Sequence, residues 1–109
     1  MNIRNIPFVT SDLAQVEPVE VKGDTGYSLW RSQTFGDINI HLAEYSPGYA
    51  SDHWCAKGHI LYVLEGTLHT RLQDGREFTL TPGMSYQCED DNYPHRSHTE
   101  TGVKLFIVD

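Results

Sequence analysis

Apolar and polar residues alternate along most of this chain, in short stretches that end at turn residues. Residues 38–45, which read INIHLAEY, are the clearest example. In an extended strand, Ile38, Ile40 and Leu42 share one face, and His41 lies on the opposite face. A Ser-Pro-Gly sequence follows. Because proline fixes φ and glycine permits positive φ, we expect a turn there.

The same strand character recurs at intervals of about eight to twelve residues from residue 26 onward. The other segments of this kind are 27–35, 60–66, 67–73, 76–81, 84–88 and 103–109. Asp74-Gly75, between two of these segments, is a typical hairpin turn. Only residues 11–17 have helical character, with Ser11 or Asp12 as the N-cap. Short strands and frequent turns predict an antiparallel β-sandwich or β-barrel.

The length of 109 residues suits one domain with a single core. We therefore expect one domain over 1–109, with an N-terminal arm at 1–25 and a β-barrel at 26–109. The longest apolar run, at 60–64, is too short to cross a bilayer. The N-terminal sequence lacks the continuous apolar stretch of a signal peptide, so we expect a cytoplasmic protein.

Charge and cysteine content narrow the classes of partner. Fifteen acidic residues against eight Lys and Arg give a net charge of −7, which argues against a surface for nucleic acid or anionic membrane. Cys55 and Cys88 are the only cysteines, so a disulfide framework is not expected, and a reducing compartment suits free thiols. The acidic run 89–91 is either a solvated loop or a negative mouth that attracts cations. Small molecules, metals and other proteins remain as partners.

Histidine and cysteine residues crowd into one short stretch. In an extended strand, His53 and Cys55 project from the same face about 7 Å apart. Side chains of that length can converge on a metal ion, which needs donors at about 2.0–2.3 Å. His59 follows a glycine that suits a bend, and a distant strand supplies His95 or His98. The pattern predicts a metal site formed by His53, Cys55 and His59 together with either His95 or His98.

Residues 48–66 resemble the first motif of the cupin superfamily, whose members are small jelly-roll barrels that often hold a metal. That motif runs from a glycine through His-x-His and a glutamate to a closing glycine. Gly48 and Gly66 take the glycine positions here, and His53 takes the first histidine position. Cys55 replaces the second histidine and His59 replaces the glutamate.

A second stretch resembles the cupin motif that begins at a glycine, here Gly83, and ends at a ligand histidine. The resemblance implies that this ligand is His95, which completes the set His53, Cys55, His59 and His95. Glu89 stands in place of the motif's proline and Thr99 in place of its asparagine. The closest likeness is to short single-domain cupins with an Asp-His-Cys-Trp signature, although residues 52–55 here read Asp-His-Trp-Cys. That group has no settled activity. The resemblance implies an all-β, single-domain cupin-type jelly-roll β-barrel and a homodimer.

The altered donor set changes the expected metal. A thiolate and an imidazole stand where iron and manganese cupins have an imidazole and a carboxylate, which favours zinc. We therefore expect one divalent transition metal ion, zinc by preference, with nickel, copper or iron as alternatives. The same departure argues against dioxygenase, oxalate-decarboxylase or germin-like chemistry.

Several functions are compatible with this site. The first is a metalloenzyme that acts on a small organic molecule, with Tyr86, Arg96 or His98 orienting the substrate. The second is a non-catalytic barrel that binds or senses a small ligand. The third is a closed structural metal site, since one cysteine and three histidines complete a tetrahedron. A metal-free nucleophile, Cys55 with His53 as its base, ranks last.

Other notable residues have simpler structural interpretations. Trp54 lies between two predicted ligands, so we expect it to face away from them and pack. Trp30 is expected to pack as well, in the core or at a dimer contact. Cys88 is expected to be a core-facing strand residue. The pattern does not decide whether His41 and His69 face the pocket or the outside of the barrel.

Overall fold

Nearly all regular structure in the described chain, residues 2–109 of a computed structural model, is β-strand. The strands are β1 Val19–Lys22, β2 Tyr27–Phe35, β3 Ile38–Tyr45, β4 His59–Gly66, β5 Leu68–Leu72, β6 Glu77–Leu80, β7 Ser85–Cys88, β8 His95–His98 and β9 Val103–Val108. One 3-10 turn spans Leu13–Gln15. The all-β prediction is confirmed. Within residues 2–109, no helix has the length and apolar character that a membrane span requires.

The strands form two antiparallel sheets, as the strand pattern predicted, in the jelly-roll arrangement that the cupin resemblance implied. The larger sheet has six strands in the order β1-β2-β3-β9-β4-β7, and the smaller has three in the order β6-β5-β8. The chain passes from one sheet to the other between Gly66, the end of β4, and Leu68, the start of β5. Asp74-Gly75 closes the β5–β6 hairpin as predicted, with Gly75 at a φ of +98°.

The apolar core lies between the two sheets. Val63 and Leu105 are paired across β4 and β9, and both are fully buried. Burial of a side chain of this size contributes about 1.5–3 kcal/mol relative to exposure. The buried apolar cluster consists of Ala43, Leu61, Val63, Leu68, Leu80, Val103, Leu105 and Ile107.

The inward face of β3 carries His41 and Ala43, whereas Leu42 points outward. The apolar face that the alternation revealed is therefore the outer one. It is partly covered, because the 3-10 turn packs against β2 and β3. The Nε atom of Arg31 in β2 donates a hydrogen bond at 3.1 Å to the carbonyl of Val16, which follows the 3-10 turn, and so links the turn to the sheet.

The N-terminal region is more ordered than a plain arm. Strand β1, Val19–Lys22, lies within the predicted arm and pairs with β2, so the six-stranded sheet extends into it. The predicted helix at 11–17 is only the 3-10 turn Leu13–Gln15. Its N-cap is Asp12, whose Oδ1 accepts a hydrogen bond from the amide of Ala14 at 3.2 Å.

Candidate functional site

A cavity of about 240 Å³ lies inside the barrel beside the core. Cys55, His59, Tyr86 and His95 line it, and they come from a loop and from three different strands. Aromatic side chains form much of the remaining wall. They are Trp30, Tyr45 and Tyr49. The cavity thus combines a few polar groups with an aromatic lining, which is the usual composition of a small-molecule pocket.

The segment before β4 is not the extended strand that the sequence predicted. Asp52 and His53 lie in a bend, and only Cys55 forms a β-bridge, with His95. The amide of Cys55 donates to the carbonyl of His95 at 2.8 Å, and the amide of His95 donates back at 3.0 Å. His53 therefore does not point inward beside Cys55. Its side chain is 72% exposed at the cavity mouth, with Nδ1 2.6 Å from Oδ1 of Asp52.

The acidic loop after β7 holds this segment in place. The amide of Gly58 donates to Oδ1 of Asp90 at 2.7 Å, and the amide of Asp91 donates to the carbonyl of Ala56 at 2.8 Å. A Cβ atom at Gly58 would lie 2.7 Å from the carbonyl oxygen of Cys88, so only glycine fits there. The side chains of this acidic run are exposed as expected, but the run also positions the link between Cys55 and β4.

His95 is the most buried member of the cluster, with 4% exposure. Its Nδ1 atom is 2.8 Å from the carbonyl of Tyr93, and because a carbonyl only accepts hydrogen bonds, Nδ1 carries a proton. Nε2 is left to interact with Cys55. The interaction between the side chains of Cys55 and His95 is the main cause of a lowered pKa for the thiol and a raised pKa for the imidazole.

His59 is held in the neutral state. Burial, followed by the nearby His95, lowers the pKa of His59 to about 4. The ring centroids of His59 and His95 are 5.0 Å apart. Nε2 of His59 lies 2.7 Å from the hydroxyl of Tyr86, whose pKa burial raises well above its usual value. The cavity therefore presents an acidified thiol, two imidazoles and a neutral phenol.

These groups share the cavity but not a common coordination point. Within residues 2–109, no three His, Cys, Asp or Glu side chains are placed to hold one metal ion. His59 is hydrogen-bonded to Tyr86, and His53 to Asp52. The donor types suit zinc, but coordination would require these two imidazoles to turn away from their present partners.

The remaining predicted pocket residues divide between the two faces of the small sheet. Tyr86 lines the cavity, whereas Arg96 and His98 project from β8 on the side opposite to His95 and line a separate outer groove. Trp54 faces away from the cluster, as predicted, and lies against the guanidinium of Arg96.

Cys88 is a half-buried residue with a free thiol, as is Cys55. It lies in β7 opposite His59 and faces a second cavity of about 310 Å³. That cavity also touches Tyr86 and His95, which separate it from the first. Cys88 thus faces the interior of the barrel, as predicted.

A polar group beside the cavity was not anticipated. Asp109 is 11% exposed. Its carboxylate lies 3.3 Å from Nζ of Lys57 and 3.3 Å from Nε2 of His41. Nδ1 of His41 lies 2.6 Å from Oγ of Ser32. Burial acts to raise the pKa of Asp109, but hydrogen bonds from His41 and Asn39, together with the electrostatic effect of His41 and Lys57, lower it overall. The only sequence signal for this ion-paired group was the alternation in β3, which set His41 on the face opposite to Leu42.

Comparison with family models gives no match, and comparison with curated proteins gives none either. The fold, in contrast, is similar to that of many solved structures. The polyketide cyclase RemF from Streptomyces resistomycificus has a TM-score of 0.77 at 21% identity, covering 94% of this chain and 78% of that one. Ectoine synthase from P. lautus has a TM-score of 0.76 at 15% identity, covering 93% and 76%.

A cupin-like protein from Thermotoga maritima is also similar, with a TM-score of 0.69 at 16% identity, covering 84% of this chain and 75% of that one. Identities this low establish the fold and leave the activity open. The two-sheet jelly roll, the strand order and these neighbours agree with the resemblance of the sequence motifs: the chain is a small protein with the fold of the cupin superfamily.

Proposed function

We propose that this chain binds one divalent transition metal ion inside its barrel, through Cys55, His59 and His95, and that it acts there on a small organic molecule. The observation that carries the proposal is that these three donors, from separate segments of the chain, line one interior cavity. His53, at the mouth of that cavity, supplies a fourth donor if it turns inward.

The donor chemistry supports zinc as the preferred ion. One thiolate with imidazoles is a zinc-type set, and nickel, copper or iron are the alternatives. The bond from Nδ1 of His95 to the carbonyl of Tyr93 also supports the assignment, because metal-binding histidines usually donate their second ring N–H to a carbonyl or carboxylate. A bound zinc ion would supply Lewis acidity.

A catalytic or ligand-binding role rests on the three inner donors. With His53 turned outward at the cavity mouth, three protein ligands leave one position for a small molecule. The hydroxyl of Tyr86 would orient that molecule, and the aromatic walls would exclude water from it. Two structural neighbours are named as a synthase and a cyclase, which is compatible with an enzyme that acts on a small organic substrate.

Two alternatives follow from the same site. A barrel that binds or senses a ligand without turnover would use the same open position. A closed structural site would need His53 to turn inward as the fourth ligand. In a reducing cytoplasm, which we also propose, the two thiols would remain free for these roles.

The direct test is the metal content of untagged protein, measured by elemental analysis of the wild type and of Cys55→Ala. We expect about one zinc per wild-type chain and a loss of nearly all of it in the variant, since the only thiolate donor is removed. Cys88→Ala is the matched control, because this second half-buried thiol lies outside the proposed set, and it should keep its zinc.

Wild-type protein that contains no metal and takes up none on addition of zinc, nickel, copper or iron would refute the proposal. Equal loss in both cysteine variants would assign the metal to a different donor set. In the first case, the pairing of Cys55 with His95 would leave a metal-free thiol site as the better explanation of the cavity.

We also propose that a second copy of this chain covers part of the six-stranded sheet. Ile60, Tyr62 and Leu64 form an outward row on β4 and are 40–43% exposed. Phe106 of β9 lies beside Tyr62 and widens this apolar strip. The row contains no charged side chain, and such a strip can pair with its own copy across a two-fold axis.

Light scattering after size exclusion, over a range of concentrations, tests the dimer. Tyr62→Glu should raise the dissociation constant about tenfold or more, because two-fold symmetry places two added carboxylates in one apolar interface. Phe8→Glu is the control, as Phe8 is 98% exposed and lies outside the strip. A wild-type protein that stays monomeric throughout would contradict the proposal.

A further inference from the structure

We propose that a groove on the outer face of the three-stranded sheet binds a small organic dianion, with either one phosphate monoester or two carboxylates. The groove, called here the outer groove, has a volume of about 500 Å³. It shares only Ser51 and Ser97 with the lining of the barrel cavity, so the inference is independent of the metal site.

Six outward side chains in two cross-strand rows form its floor. Strand alternation places all six on the face opposite to the core. Two of them are always cationic, two are imidazoles and one is a carboxylate. The rows, each running across β6, β5 and β8, are Thr79–His69–His98 and Glu77–Arg71–Arg96.

The arginines are the unusual feature. Arg71 and Arg96 lie directly opposite each other in the β5–β8 pair. Like charges in this position destabilise a sheet. No carboxylate of residues 2–109 lies within ion-pair distance of either guanidinium, although the chain has fifteen acids against eight Lys and Arg. The juxtaposition of the two guanidiniums does not itself stabilise the sheet, so we infer an external anion as their partner.

Trp54 orients both guanidiniums. Their central carbons lie 5.4 Å (Arg71) and 5.6 Å (Arg96) from the centroid of the Trp54 ring. Arg96 is further fixed by a 2.8 Å bond from Nη2 to the carbonyl of Ser51. Stacking on an aromatic ring holds a guanidinium in place and leaves N–H groups free for the paired oxygens of a phosphate or carboxylate.

The other lining groups define the class of ligand. The stacked rings of His69 and His98, with centroids 4.9 Å apart, offer a flat surface beside the arginines. Asp24 and Glu77 also line the groove and would repel a long polyanion such as nucleic acid. A groove of this volume is larger than a bare phosphate needs, so we infer a compact organic molecule with its charge localised at the arginines.

Titration calorimetry in a low-salt buffer without competing oxyanions tests the inference, with inorganic phosphate, glycerol phosphate and succinate as the probes. Arg71→Gln should weaken the binding of the preferred probe about tenfold or more, because it removes charge-assisted hydrogen bonds. Arg76→Gln is the matched control, since Arg76 is an exposed arginine in the turn between β5 and β6 and is paired with Asp74 outside the outer groove. It should change binding less than twofold.

The pattern of binding then identifies the ligand. Saturable binding of glycerol phosphate or succinate that weakens in Arg71→Gln but not in Arg76→Gln supports the inference and distinguishes a phosphate from a dicarboxylate. Cys55→Ala should bind the probe as the wild type does, which separates this site from the metal centre. The inference would be overturned if none of the three probes showed saturable binding in the millimolar range. Equal weakening of binding in both arginine variants would also overturn it.

Discussion

Substitution of Gly66 by alanine should destabilise the protein by about 3 kcal/mol or more. Gly66 ends β4 at a φ of +81°, and an L residue in the left-handed region costs about 1–2 kcal/mol. A Cβ atom there would also lie 2.1 Å from the carbonyl oxygen of Gly102 and 2.9 Å from Cα of Val103. Because both neighbours are backbone atoms of the strand pair that encloses the core, β4 and β9 must move apart.

Thermal unfolding of Gly66→Ala and of Gly75→Ala separates the cost of the left-handed backbone conformation from the cost of the steric clash. Gly75 has a φ of +98°, and a Cβ atom added there would meet nothing within 4 Å beyond its chain neighbours, so its variant should lose only the conformational part, about 1–2 kcal/mol. A loss of 3 kcal/mol corresponds to a fall in Tm of roughly 10–20 °C for a domain of this size. Equal losses of stability in the two variants would contradict this prediction, because they would mean that β4 and β9 can separate at no energetic cost.

Most of the strands were predictable because turn residues mark their ends. Segments 27–35 and 38–45 match β2 and β3, and glycine or proline bounds each. Strand β1, Val19–Lys22, was missed although it reads Val-Glu-Val-Lys, because an alternation of four residues is short and all four of its side chains are exposed. It forms only because β2 offers it an unpaired edge. That pairing is tertiary, and the short local alternation does not identify it.

The orientation of the strands was harder to predict than their positions. In β3, the apolar residue Leu42 faces outward under the N-terminal segment, and the histidine His41 faces inward toward Trp30. Alternation shows that two faces differ, but it does not show which one the second sheet will cover. The same ambiguity applied to His69, which the structure places on the outer face of β5.

The metal-site hypothesis depended on the conformation of residues 52–58. The interpretation that His53 and Cys55 share a face assumed an extended strand, but this segment bends, and the bridge to His95 fixes only Cys55. The bend depends on contacts with the acidic loop, in particular the bond from Gly58 to Asp90. Residues this far apart in sequence give no joint signal in one chain, so the grouping of Cys55 with His95 was predictable only through the cupin motifs.

Zinc should stabilise the folded protein strongly if the interior cluster binds it. A ligand that binds only the folded state, present at about one hundred times its Kd, adds about 2.7 kcal/mol to the free energy of unfolding. For this domain, Tm should then rise by roughly 10–20 °C on addition of zinc. The measurement is the zinc-induced rise in Tm of the wild type and of His95→Ala. The variant should lose that rise even if its zinc-free Tm is lower, because the rise depends on the metal ligands and not on the baseline.

Two further variants locate the ion and count its ligands. His98→Ala should keep the full rise, because His98 stacks on His69 on the outer face, away from the cavity. His53→Ala should keep most of the rise if three inner donors hold the ion and one position stays open. It should lose most of the rise if His53 completes a closed structural tetrahedron. A rise that disappears in His98→Ala but persists in His95→Ala would place zinc on the outer histidine pair and contradict the interior site.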